Sequence, residues 1–194
     1  MKVRSLFFAL AMGLFAAPAV LTASADITII VVDQGKVLEQ SKAGKDMAQK
    51  LNTMADQIEG DLKRKDGALQ VEQKGLKDKI APLNQAAIAQ DQQLQNQLKN
   101  FESKVQNFEI SRRKEAAQLE LTRRDAMVKY STALQAAIKS VMAERKADLV
   151  LERSLVIESA TAIDVTDAVI AKLDATSPTI AVVKQALPEK KASQ

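Results

Sequence analysis

The chain has 194 residues, 28 Lys+Arg against 24 Asp+Glu, and neither histidine nor cysteine. That composition removes most metal sites, thiol chemistry, disulfides and the commonest proton-transfer side chain. Its length is enough for one compact domain, or for a small head carrying a long appendage.

The first 25 residues read as a cleaved signal peptide. Lys2 and Arg4 form a positive start, LFFALAMGLFAAPAVL (6–21) is the apolar run, and Ala23-Ser24-Ala25 supplies small residues for cleavage between Ala25 and Asp26. The run is short for the roughly 20 residues that span a bilayer, and without cysteine no lipoprotein can form. No later run resembles a membrane span, so the mature chain is expected to be soluble and outside the cytoplasm, in the periplasm. The missing cysteines avoid mispairing in an oxidising compartment.

Asp26 to Ser41 opens the mature part with ITIIVVD (27–33), an apolar β-branched run of the kind buried on both faces of a sheet, followed by the helical turn GKVLEQS (35–41). Residues 42–146 are dominated by Lys, Gln, Ala, Glu and Leu, with no β-rich run. Two further strand candidates, ADLVLE (147–152) and SLVIE (154–158), then lead to the helix DVTDAVIAKLDA. That helix is expected to be capped by Asp164, with Asp167 at its third position and Val165, Val169, Ile170 and Leu173 on one face. Residues 147–174 would complete the head, and 175–194, with Pro178, Pro188 and a closing EKKASQ, read as a disordered tail.

Strands on either side of one helical insertion require the insertion to leave the head and return, as an antiparallel αα-hairpin. Pro82 ends one helix and Asn84 can cap the next, which places the tip within about residues 80–92. The arms come out unequal. Either the turn 35–41 belongs to the head, or the tip lies nearer Gln90. The fold class is thus α+β, a small β-rich head bearing a long coiled-coil-like hairpin.

On the returning arm Leu94, Leu98, Phe101, Val105 and Phe108 keep a 4-3-4-3 seam, and Met127, Ser131, Leu134, Ile138 and Val141 make another in a different register. The outgoing arm offers only Leu62, Leu69, Leu76 and Leu83, one apolar position per heptad, with Gly60, Gly67 and Gly75 beside them. Each glycine costs a helix roughly 1 kcal/mol relative to alanine. The outer hairpin should therefore be compliant. The alternative is that the glycines are tolerated on an exposed helix.

The head is small for an independent core, and its apolar strands would leave exposed edges, so oligomerisation through the head is the natural remedy. Charge divides along the same line. Residues 42–146 contain 20 Lys+Arg against 14 Asp+Glu, and the rest of the mature chain contains 6 against 10. Basic arms hang from an acidic head. The clusters Arg112-Arg113-Lys114 and Arg123-Arg124 are either a solvated face or contacts for acidic partners. Nucleic acid is disfavoured by the export signal. Ser111 and Lys114 form an isolated S-x-x-K without its partner motifs. Neither phosphate-binding glycine loop occurs. The chain reads as a non-enzyme with no cofactor, catalytic residue or metal site.

These features together resemble the Skp/OmpH family of periplasmic chaperones. The resemblance runs from about Ile27 to Leu173, carried by VDQGKVLEQSKAGK, FESKVQNFEISRRKE, IKSVMAERKADLVLE and AIDVTDAVIAKLDA in that order. It implies a jellyfish-shaped homotrimer whose head core would include Ile29, Val31, Leu149, Leu151 and Val156. It also implies an ATP-independent holdase whose tentacles enclose unfolded outer-membrane proteins for delivery to outer-membrane assembly. A lipopolysaccharide site proposed for the family corresponds best to Arg112 and Arg113, with Lys114, Arg123 and Arg124 as further candidate contacts for lipopolysaccharide, an anionic membrane surface or acidic clients. Gly60, Gly67 and Gly75 would supply tentacle flexure. The competing class is a structural or adaptor protein, a periplasmic coiled-coil spacer without unfolded clients, which would want continuous heptads and an anchoring domain.

Overall fold

The computed structural model describes residues 26–188; the signal-peptide reading of 1–25 lies outside them. β1 (Ile29–Val32) pairs in parallel with β2 (Leu149–Glu152), in the register Ile29–Leu149 to Val32–Glu152. Parallel neighbours need a long crossover. Here the crossover is the whole hairpin, made of α1 (Gln34–Gln40), α2 (Lys42–Ile80), α3 (Gln85–Gln90) and α4 (Gln92–Arg145). After β2 the chain passes two short 3₁₀ turns into α5 (Thr166–Thr176).

Each helix start in the hairpin has a side chain that satisfies an orphan amide, the device expected of Asp, Ser and Asn at these positions. Asp33 accepts the Lys36 N–H at 2.8 Å and Ser41 accepts that of Gly44 at 3.1 Å. Asn84 accepts from Ala87 at 2.8 Å, and Asp91 accepts from Leu94 at 2.9 Å. The turn thus spans two caps. Both sources of arm inequality are present, because α1 belongs to the head and α3 is an extra helical turn at the tip. At the other end Lys146 adopts a left-handed φ of 53°, a conformation more usual for glycine, and so stops α4 and aims the chain into β2.

The core lies where the hairpin base meets the sheet. Ile30 and Val32 project from one face of β1 onto Val37, Ala43, Met47, Tyr130, Leu134, Ala137 and Val141 of the hairpin base and onto Val169 and Leu173 of α5, with Val150 packed beside them. Fully burying one such aliphatic side chain stabilises by about 1.5–3 kcal/mol. Two backbone features tighten the corner. The buried Ser41 both ends α1 and starts α2, and a Cβ on Gly44 would sit 1.8 Å from the Leu38 carbonyl oxygen. Only a glycine allows that approach.

Four expectations need correction. Residues 154–158 are not a strand: Arg153–Leu155 is a 3₁₀ turn, and Leu155 and Ile157 are 78% and 105% exposed. Among the described residues the outer edge of β2 is free, but only Arg153 separates it from residues 154–158, fewer than the two residues the tightest common hairpin loop needs to fold back onto it. Instead a single bridge from Val31 to Asp164 touches β1. Second, α5 starts at Thr166, so Asp164 precedes the cap position, although its Oδ1 still accepts the Thr166 N–H at 2.9 Å. Third, Met127 is 45% exposed, and the buried line of α4 runs through Ala126, Tyr130, Leu134, Ala137 and Val141. Small side chains there admit a close neighbour.

The neighbour is the fourth correction. Residues 177–188, read from sequence as disordered, run extended along the hairpin and bury Ile180 to 4% exposure. Pro178 ends the helical path but leaves the segment free to lie in a groove that both arms build. The remaining tail residues, 189–194, lie outside the described part of the chain.

Candidate functional site

Between residues 48 and 121, seventy-odd positions of arm and tip, only Leu76 and Leu94 are buried. Of the predicted seam residues, Leu62, Leu69, Leu98, Phe101, Val105 and Phe108 are half-buried, and Leu83 at the tip is exposed. A seam that dehydrates two side chains over this length is held by little hydrophobic energy. Two cross-arm polar contacts supplement it, Lys104 to Glu72 at 2.8 Å and Lys79 to Gln97 at 3.0 Å. Both are largely solvated, and such pairs contribute little.

Between the arms lies an open groove of about 420 Å³, floored by Ala68, Leu69 and Phe108 and rimmed by Lys65, Glu72 and Lys104. Ser111 borders it, which the sequence did not suggest, but Ser111 and Lys114 share no hydrogen bond among the described residues. No group of three His, Cys, Asp or Glu that could hold a metal occurs among the described residues. The groove offers apolar contact ringed by charge.

Gly60, Gly67 and Gly75 lie within the unbroken α2, and a Cβ built on any of them meets nothing within 4 Å. No neighbour requires a glycine at these sites. Of the basic candidates, Arg112 bonds Glu109 at 2.8 Å and Arg124 bonds Glu120 at 3.0 Å. Arg113, Lys114 and Arg123 are exposed and enter no ion pair among the described residues. Eleven residues is just over three helical turns, so Arg112 and Arg123, like Arg113 and Arg124, stand within about 20° of each other around α4 and about 16 Å apart along it.

The outward face of the head sheet carries Ile29 and Leu149 at 37% and 44% exposure, side by side in the register. Ile27, Leu155 and Ile157 are more exposed still. Leu151 and Val156 are half-buried. Val31, expected on an intersubunit core, is 1% exposed within the single chain, because the segment around Val165 covers it.

Sequence reasoning passed over the polar side chains that line the head-proximal part of the groove. Asp46 accepts from Lys50 and from the Ile180 backbone, and these hold its carboxyl below the usual range against the opposing effect of burial. Burial pushes the Tyr130 phenol up; its hydroxyl is shut off near Ser41 without a well-formed hydrogen bond. One signal was available in the tail, where Ile180 and Val182 alternate with residues that turn outward.

No curated protein matches the sequence. A crystal structure of an OmpH-like protein from Caulobacter crescentus, described as a candidate outer-membrane chaperone, superposes with a TM-score of 0.75 at 24% identity, covering 95% of this chain and 100% of the other. That likeness shows a shared fold. The model of the OmpH-like outer membrane protein family matches residues 28–173, from the start of the sheet through the hairpin to the buried Leu173 of α5. The head and both arms are therefore those of a member of the OmpH-like outer membrane protein family, to which this chain belongs.

Proposed function

We propose that the protein is an ATP-independent periplasmic holdase that keeps unfolded outer-membrane proteins soluble between basic, compliant arms. The observation that carries this reading is the contrast along the hairpin. The base is packed through Ala126, Tyr130, Leu134, Ala137 and Val141, whereas the outer arms bury only Leu76 and Leu94. Half-exposed apolar positions spread along a pliable wall give weak, distributed contacts. Such contacts suit a client that must be held without folding and released without nucleotide hydrolysis. A rigid spacer would need a continuous dry seam, so the adaptor reading is disfavoured.

The same proposal includes assembly. Ile29, Leu149, Leu155 and Ile157 form an uncovered apolar surface on the head, and a homotrimer joined there would dehydrate it and surround a cavity with three hairpins. The exposed Arg113, Lys114 and Arg123, which enter no ion pair among the described residues, would attract acidic clients or lipopolysaccharide phosphates. Sedimentation velocity on the mature chain, alone and with a urea-unfolded outer-membrane barrel protein diluted into it, tests both parts. A trimer that takes up the client into one discrete complex is expected. A monomer, or a client that sediments separately as aggregate, would contradict the proposal.

A further inference from the structure

The tail is not merely resting on the hairpin. Side chains of both arms hydrogen-bond its main chain. From α2, Asp46 accepts the Ile180 N–H at 2.9 Å and the Lys50 ammonium donates to the Ile180 carbonyl at 3.1 Å. From α4, the Lys129 ammonium donates to the Ala181 carbonyl at 3.3 Å, and Thr122 Oγ1 accepts the Gln185 N–H at 2.9 Å. Thr122 and Ile180 are buried, and Val182 packs against the core cluster. An ion pair from Lys184 to Glu115 holds the segment farther out along α4.

Main-chain amide and carbonyl groups are common to every polypeptide. A groove that fixes a strand through them, with apolar seats for alternate side chains, selects for an extended conformation more than for a sequence. The segment filling it contributes one fully buried side chain, Ile180, among the described residues. Beyond Glu115 the groove continues, unfilled by described residues, past Lys65 to Leu69 and Phe108.

We propose that this inter-arm groove is a binding site for an extended polypeptide segment, that residues 178–187 are its resident occupant, and that a stretch of unfolded client displaces them. The inference rests on the holdase reading and adds a regulation to it. The tail keeps the apolar groove covered when no client is present, and it competes with the client for the site. The apparent affinity for clients is then lowered by the fraction of molecules whose groove is closed.

The test follows the two tail amides that the arms hold. Amide exchange at Ile180 and Gln185 should be slow in the full-length mature protein and become fast when a urea-unfolded barrel protein is diluted into it. Truncation after Ser177 should tighten client binding by about tenfold, as expected for removal of a mostly closed competitor. Ile180→Asp, which leaves both arms and the head intact, should do the same if truncation perturbs folding. A synthetic peptide of residues 178–188 should bind the truncated chain and compete with the client there, while binding the full-length chain at least tenfold more weakly. Unchanged exchange at both amides with client bound would overturn the proposal. So would a peptide that ignores the truncated chain, or a truncation that lowers thermal stability without changing client affinity, since the tail would then be a structural brace. If neither form binds client, the holdase reading fails, and the peptide measurement still decides whether the groove takes an extended strand.

Discussion

Replacing Gly60, Gly67 and Gly75 together by alanine separates compliance from packing. A Cβ on each meets no atom within 4 Å, so the substitution adds neither a clash nor a contact. What changes is backbone preference, worth about 0.8–1 kcal/mol per site and so about 2–3 kcal/mol for the three. The only buried apolar side chain near them is Leu76, so this gain is large beside what packing supplies to that stretch of α2. Hydrogen exchange across residues 56–80 should slow by about 30- to 150-fold, at tenfold per 1.4 kcal/mol, while the head amides stay unchanged. Capacity for small barrel clients should be nearly preserved, and capacity for large ones should fall, because stiffer arms cannot spread. Gly44→Ala is the contrasting control. Its Cβ would meet the Leu38 carbonyl at 1.8 Å, so it should destabilise the head by about 1–3 kcal/mol and lower Tm. Slowed exchange with equal capacity for both client sizes would refute the link between these glycines and function. Unchanged exchange would refute the energetic reasoning itself.

Further outcomes follow from the head and the charges. Val31→Asp places a carboxylate at a site 1% exposed and should unfold the head by several kcal/mol, whereas Leu155→Asp, at a site 78% exposed, should leave the chain folded and dissociate the assembly in sedimentation equilibrium. Tyr130, the only tyrosine of the sequence, has its phenol pKa raised by burial, so the folded state keeps a proton that the unfolded chain releases. Stability should accordingly fall as pH rises above about 10, with ultraviolet absorbance showing a midpoint above the usual phenol value, and Tyr130→Phe should remove that slope. Reversing Arg113, Lys114 and Arg123 to glutamate should slow association with acidic unfolded clients more than it speeds dissociation, and the effect should shrink as salt screens it. Stopped-flow fluorescence at two ionic strengths measures this, and a rate independent of salt would make these residues only a solvated face.

The hairpin was legible because its signals are local. Composition, Pro82 and the capping oxygen of Asn84 act within a few residues of themselves, and each does in the structure what its chemistry requires. The missed features depend on distant partners. Ser154 to Glu158 has strand chemistry but follows β2 too closely to fold back onto its free edge. The α4 register was misjudged because Ala126 and Ala137 were not counted as seam residues, and their small size matters only with α5 and the tail beside them. Gly44 differs from Gly60, Gly67 and Gly75 solely through a carbonyl six residues upstream that folds back over it. The tail was the largest miss. Its prolines and charged end resemble a disordered segment, while the groups that order it, Asp46, Lys50, Thr122 and Lys129, stand on two helices far away in sequence.

If this chain holds unfolded outer-membrane proteins in solution without nucleotide, it prevents their aggregation on its own. Light scattering after dilution of a urea-unfolded barrel protein into ATP-free buffer tests it most directly, with the mature protein present in rising ratio to client. Scattering should be suppressed completely once one assembled chaperone is present per client, and less completely by a variant shortened to remove the arms between residues 56 and 120. Aggregation that proceeds unchanged at every ratio, or that the arm-less variant suppresses equally well, would contradict the account.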